Sequence, residues 1–201
     1  MTTIDLGIVG PSSLADHTQE EFHKIFGGTT VRGWDNQLRD EVGFKIDHDT
    51  FTRISSGRVF EKAEILEKVG WELLRHYGGS LGNINTSLRA GNTLRVGRRF
   101  HDDKGSGIYL GEADSSWKIY GSLRVQGEFV FHNIFLDGNS KKDSHSVDKE
   151  EFVAEASASI TFQKGSVGIS FEQVVRSEEF EGQRGSDTRG GFQIVFDYFI
   201  K

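Results

Sequence analysis

Between residues 117 and 135 apolar and polar side chains take turns with few breaks: Trp117, Ile119, Leu123, Val125, Phe129 and Phe131 on one parity, Lys118, Ser122, Arg124, Gln126 and Glu128 on the other. A period of two is the mark of a β-strand with two unlike faces. The length is the constraint. Strands of soluble proteins usually run ~5–6 residues, whereas a strand tilted across a bilayer needs ~9–11. The polar parity carries too many charges for a dry core but suits a water-filled barrel lumen.

The same alternation recurs along the chain. In 152–162 the even positions are Phe152, Ala154, Ala156, Ala158, Ile160 and Phe162, and after "KGS" the parity switches to Val167, Ile169 and Phe171. Phe192, Ile194, Phe196, Tyr198 and Ile200 mark a last strand, Ile4, Leu6 and Ile8 a first one. Stretches 38–54 and 84–96 alternate as well. Stretch 60–77 contains good helix formers, yet its period-two pattern favours a strand. This predicts about eight strands. "KGS" and "SSGR" read as short turns, and 11–37, 136–150 and 178–191 as long polar connectors, the asymmetry of an outer-membrane barrel; the connector after Gly97 does not fit that rule. Trp71, Tyr77, Trp117, Phe131 and Tyr198 are expected at strand ends, as interfacial girdles. The expected fold is all-β: a single domain over 1–201, an antiparallel transmembrane-type β-barrel with one short helix in a long connector.

A net charge of −6 and a pI near 5.7 argue against a nucleic-acid partner, which needs a basic face. There is no cysteine, hence no disulfide or thiolate metal site. No run reaches the ~18 apolar residues of a membrane helix, a test that leaves barrels untouched. The opening "MTTIDLGIVGPSS" lacks the basic and apolar regions of a leader, so either a leader lies upstream or the chain stays in the cytoplasm.

The stretch 17–37, "HTQEEFHKIFGGTTVRGWDNQ", is the one that reads as a helix. Gln19, Phe22, His23 and Phe26 lie at helical spacing, so Phe22 and Phe26 are expected to pack on the barrel and hold His23 beside its wall. Gly27 and Gly28 supply a stop. With a pKa near neutrality His23 can act as a general base, although a lone helix histidine usually has a structural role. His17, His48, His76, His101, His132 and His145 read as lumen or loop residues. The stretch 137–151 resembles a calcium loop but puts Lys141 where an oxygen ligand is needed and has no glycine at the sixth position. Serine-hydrolase, phosphate-loop and dinucleotide motifs are missing.

Two blocks, "LGIVGPSSLADHTQEEFHKIFGGTTVRGWDNQLRDE" and "HNIFLDGNSKKDSHSVDKEEFVAE" with "EEFEGQ", together with "GGSLGNINTSLRAGNTLRVG", resemble the outer-membrane lipid A deacylases, which remove 3′-O-linked acyl chains. The resemblance implies a twelve-stranded barrel in the bacterial outer membrane, of which this chain is the C-terminal two-thirds. It implies lipid A, or lipopolysaccharide, as substrate, an active site between barrel wall and helix, His23 as catalytic base, and calcium polarising the ester carbonyl. Gln19, Trp34 and Gln37, from the shared Q-x-x-x-H and G-W-x-N-Q elements, are the supporting or substrate-side candidates. The family's other catalytic groups lie on N-terminal strands without a counterpart here, and no calcium ligand is assignable. A non-enzymatic barrel and a soluble β-rich binding domain stand as alternatives.

Overall fold

A computed structural model describes residues 1–27, 33–58, 69–98, 117–165 and 167–196. Eight strands, β1 (Thr2–Val9), β2 (Glu41–Arg58), β3 (Val69–Gly82), β4 (Asn85–Arg98), β5 (Trp117–Asn133), β6 (Phe152–Lys164), β7 (Val167–Arg176) and β8 (Asp187–Phe196), form one sheet in sequence order. Every neighbouring pair is antiparallel. The sheet curls into part of a barrel, and no ladder joins β1 to β8 among the described residues. Two helices, α1 (Ala15–Phe26) and α2 (Ile134–Asp137), lie in connectors at the same end.

The two faces reverse the usual rule of burial. The concave face buries Glu72, His76, Ser87, Thr93, Arg95, Lys118, Glu128, Thr161 and Gln163, while Leu6, Val42, Leu88, Leu123, Val125, Phe152 and Phe192 stand exposed on the convex face. An apolar belt outside and a polar interior are what a bilayer selects.

Buried charges on the concave face are paired, as burial demands. Glu72 accepts from Arg53 Nε at 2.7 Å and Arg95 Nη1 at 3.2 Å, and the Arg95 guanidinium lies 5.6 Å from the Tyr120 ring centre. Arg89 bridges to Asp49 at 2.9 Å. Arg176 reaches Glu128 at 2.9 Å and Glu155 at 3.3 Å. Two of these pairs, Arg89–Asp49 from β4 to β2 and Arg176–Glu128 from β7 to β5, join strands that are not neighbours in the sheet.

The strand count and the parity of β5, β6 and β7 agree with the sequence reading. Four details differ. "SSGR" is not a turn but the end of β2, beyond a bulge between Arg53 and Ser55. Gly57 stands there because the Trp71 ring lies over it: an added Cβ would meet Trp71 Nε1 at 2.8 Å. The last long connector is shorter than 178–191, since β8 begins at Asp187. Tyr77 sits in mid-strand, opposite Thr50 and Ala90, not at a strand end. His48 is neither in the lumen nor in a loop: it shares the parity of Val42, Phe44 and Ile46 and points outward. Residues 60–68, the connector after Gly97 up to 116, and Tyr198 lie outside the described residues.

Candidate functional site

The connectors β1–β2, β3–β4, β5–β6 and β7–β8 share one end of the sheet. The first, residues 10–40, carries the helix. It opens on Gly10 at φ 105°, where a Cβ would come within 2.7 Å of the Asp40 amide nitrogen; glycine is required because the two ends of the connector touch there. A 3-10 turn (Pro11–Ser13) follows, then Leu14 at φ 55°, a strained corner for a branched residue. α1 closes on Gly27 in the left-handed region, whose N–H donates to His23 O at 2.8 Å. A second 3-10 turn (Trp34–Asn36) leads back to β2.

Both feet of this connector are fixed. Asp40 accepts from Ser12 N at 2.8 Å and Ser12 Oγ at 2.7 Å. The backbone bond from Ser12, with the hydroxyl bond beside it, holds the Asp40 carboxyl below the usual range. From 100 residues away, Asn139 Oδ1 accepts from Arg39 N at 2.9 Å, and its Nδ2 donates to Arg39 O at 2.7 Å and Glu41 Oε2 at 3.1 Å. Lys142 Nζ donates to Asp40 O. The β5–β6 connector is tied in turn to the β7–β8 connector by a bridge between Lys149 and Phe180 and by Glu150 N to Glu179 O at 2.8 Å. Three long connectors thus form one rim.

Against this rim lies a groove of about 390 Å³, lined by Ile8, Val9, Ala15, Trp34, Gln37, Leu38 and Phe135 among others. Its walls are mainly apolar, and Trp34 Nε1–H is buried in them with no acceptor among the described residues. The structure therefore brings two of the four expected residues, Trp34 and Gln37, to one groove. Gln19 and His23 do not line it. His23 lies eight residues after Ala15, roughly 12 Å along the helix axis.

On α1 the expectation fails for Phe22, while the side chain of Phe26 lies outside those described. The half-buried residues of α1 are Asp16, Gln19 and His23, at i, i+3 and i+7 on one flank. Phe22 is 57% exposed and Ile25 73%, so Phe22 does not seat the helix on the barrel. The Phe22 and His23 rings stand 6.5 Å apart, tilted. Glu20, Glu21 and Lys24 are exposed along with Phe22 and Ile25, so α1 offers solvent or lipid both charged and apolar side chains.

Calcium finds no ready cradle in these residues. Among the described residues no group of three or more His, Asp or Glu is gathered for a metal. Asp40 is taken up by Ser12, and Glu41 by Asn83, Asn139 and Ser140.

The sequence model of the family described as outer membrane protein LpxR matches residues 1–198. The chain belongs to the outer membrane protein LpxR family. Among solved structures, LpxR from Salmonella typhimurium superposes with a TM-score of 0.79 at 19% identity, over 98% of this chain and 66% of that one. At that identity the match speaks for the fold: an antiparallel barrel wall of the same kind. The chain spans 66% of the length of that structure. A search of curated proteins finds no match to this chain.

Sequence reasoning flagged the two residues of the groove through the G-W-x-N-Q element. It missed Ile8, Ala15 and Phe135, whose meeting depends on the connector folding back over the top of β1. It also missed Asn139, whose side chain serves a partner a hundred residues distant; a single asparagine in a polar loop gives no signal for that.

Proposed function

We propose that this chain carries the helix-borne part of a lipid A 3′-O-deacylase of the outer membrane, an ester hydrolase with His23 as general base. The observation behind this reading is the apolar groove at the foot of α1, walled by Trp34 and Gln37, on the rim where a lipid's acyl chains meet the protein. Family membership supports the same reading, as do the exposed Phe22 and Ile25 of α1, which suit a helix lying in the membrane interface.

The chemistry asked of these residues is limited. An acyl chain of lipid A lies in the groove, and its ester stands beyond the groove toward His23. The His23 imidazole takes a proton from water as the water oxygen bonds to the ester carbonyl carbon. Collapse of the tetrahedral species breaks the carbon–oxygen bond to the sugar, and the departing alkoxide recovers the proton from the imidazolium. The products are a free fatty acid and a sugar hydroxyl. Trp34 Nε1–H donates to a substrate oxygen, since a buried donor left without an acceptor costs about 1–3 kcal/mol. Gln37 lines the same wall, and Gln19, one helical turn before His23 on its flank, orients the bound headgroup. Calcium, as the resemblance implies, supplies charge stabilisation when bound; its ligands must include groups beyond those described, and no step above depends on it.

The test is release of fatty acid from lipid A by the full-length protein in outer-membrane vesicles, with and without added calcium. His23→Ala is expected to lower the rate 10²–10⁴-fold with unchanged heat-resistant migration of the folded barrel. Unchanged release would remove His23 from the reaction. Absence of release from the unaltered protein would make the chain a non-enzymatic barrel.

A further inference from the structure

Two cations and two tryptophans gather on the convex face at the end of the sheet that holds the β6–β7 turn. Trp71 of β3, Arg98 of β4, Trp117 of β5 and Lys164 of β6 share the lipid-facing parity and stand in the last two outward rows of their strands. Trp117 pairs with Lys164, and Arg98 with Ile119, the next outward residue of β5. Lys164 Nζ lies 5.2 Å from the centre of the Trp117 ring, a contact that positions the ammonium through the ring face. Arg98 and Lys164 stand two strands apart, roughly 10 Å across the sheet, and β5 with Trp117 runs between them. Arg98, Trp117 and Lys164 are all exposed.

From this end inward the outward face of β5 reads Trp117, Ile119, Gly121, Leu123. Gly121 leaves a dip in the apolar wall. Two other outward glycines are covered by rings: an added Cβ at Gly57 would meet Trp71 Nε1 at 2.8 Å, and one at Gly127 would meet Phe152 Cζ at 2.8 Å. At Gly121 an added Cβ would meet only Ser159 O, at 3.6 Å. The dip is bordered by Ile119 and Leu123 on β5 and by the pairing partners of Gly121, Val96 and Ile160, all of them exposed. From Trp117 to Gly121 is roughly 13 Å along the strand.

We propose that this part of the wall binds one anionic phospholipid of the leaflet on the β6–β7 side. Its phosphate sits between the Arg98 guanidinium and the Lys164 ammonium, its glycerol lies against the Trp117 ring, and one acyl chain passes Ile119 into the dip at Gly121. The cations and Trp117 stand at the water interface and the dip lies deeper, so the chain runs from its headgroup toward the middle of the bilayer, as a lipid of that leaflet must. Arg98 offers the planar fork that takes a phosphate through two hydrogen bonds. Two cations favour a lipid of net negative charge over a zwitterionic one, whose own ammonium they repel. The lipid is a different molecule, in the other leaflet, from the substrate proposed at the rim, so this site stands whether or not that activity does.

Native mass spectrometry of the full-length protein tests this. Delipidated protein is incubated with mixed micelles holding equal amounts of phosphatidylglycerol and phosphatidylethanolamine, then stripped of detergent. One retained phosphatidylglycerol per chain is expected, at least fivefold over phosphatidylethanolamine. Retention is expected to fall at least fivefold when Arg98→Gln and Lys164→Gln are combined, and likewise in Gly121→Leu. The latter fills the dip from a position with open space above it, so the folded barrel is expected to resist heat as the parent does while losing the lipid. Gln173→Ala, on the convex face of β7, is expected to leave retention unchanged. Equal retention by the parent and by either the double variant or Gly121→Leu would overturn the site, as would equal retention of the two lipids. So would a dimer of this chain that Gly121→Leu abolishes, which would make the dip a contact between copies.

Discussion

The concave and convex faces of this sheet are built from the same strands in the same registers, yet they obey opposite rules. On β5, Arg124 and Glu128 point one way and Val125 and Phe129 the other. A water-soluble sheet would bury the second set. Here the covered side chains are ionic and the exposed ones aliphatic and aromatic, so the solvent on the convex side is hydrocarbon. On α1 the contrast is weaker: Asp16, Gln19 and His23 are half-buried, and Phe22 and Ile25 are exposed together with Glu20, Glu21 and Lys24. The proposed function builds on this: a helix that exposes Phe22 and Ile25 and half-buries its histidine suits chemistry on a lipid.

The contrast is broken most severely from the concave side. Glu72 is fully buried between Arg53 and Arg95, and Glu72→Ala leaves the buried Arg95 without its carboxylate. Removing one partner of such a pair costs about 3–5 kcal/mol, to be read as a lower urea midpoint for unfolding from lipid vesicles. A charge on the convex face is next. Leu123→Arg places a cation in the belt and is expected to cost about 2–4 kcal/mol in the same measurement. Ser157→Arg, pointing into the lumen, is expected to cost less than Leu123→Arg.

The smallest expected effect lies at the rim. Burial pushes the Asp137 carboxyl up, but the Lys149 ammonium bonded at 2.8 Å, the Asn133 N–H and the charge of His132 outweigh it and hold the group below its usual range. A carboxyl depressed on folding adds stability above its unfolded pKa of about 3.9, and that stability is lost as pH falls through the folded value. Asp137→Asn is therefore expected to lower stability slightly at neutral pH and to flatten its fall below about pH 4. A parallel fall in parent and variant would show that Asp137 contributes nothing there.

Much of this was legible in the sequence because parity is a local signal. The side of each residue in β5, β6 and β7 follows from counting by twos. His48 was misplaced because it was judged by polarity; its parity with Val42, Phe44 and Ile46 already points it outward. Gly57 looked like part of a turn because the Trp71 ring that covers it belongs to another strand. In β8, Gly190 and Gly191 weakened the strand signal, while pairing with β7 from Asp187 onward restores it. Phe22 was misplaced by assuming that an apolar helix residue seeks a protein core; it stands exposed. Of the site, Trp34 and Gln37 were visible through resemblance to the family. The orphaned N–H of Trp34 was not, since it exists only once the connector has folded over β1.

The lack of cysteine in the chain allows the two faces to be read directly with single spin labels. Ser157→Cys and Ala158→Cys are neighbours on β6, one concave and one convex, and both replace small side chains. In vesicles carrying the full-length protein, collision with oxygen, which partitions into lipid, and with a water-soluble nickel chelate reports the environment of each label. The inverted sheet predicts that the label at 158 relaxes with oxygen and is shielded from nickel, while the label at 157 shows the reverse. Strong nickel access at both positions would place the convex face in water and contradict the account.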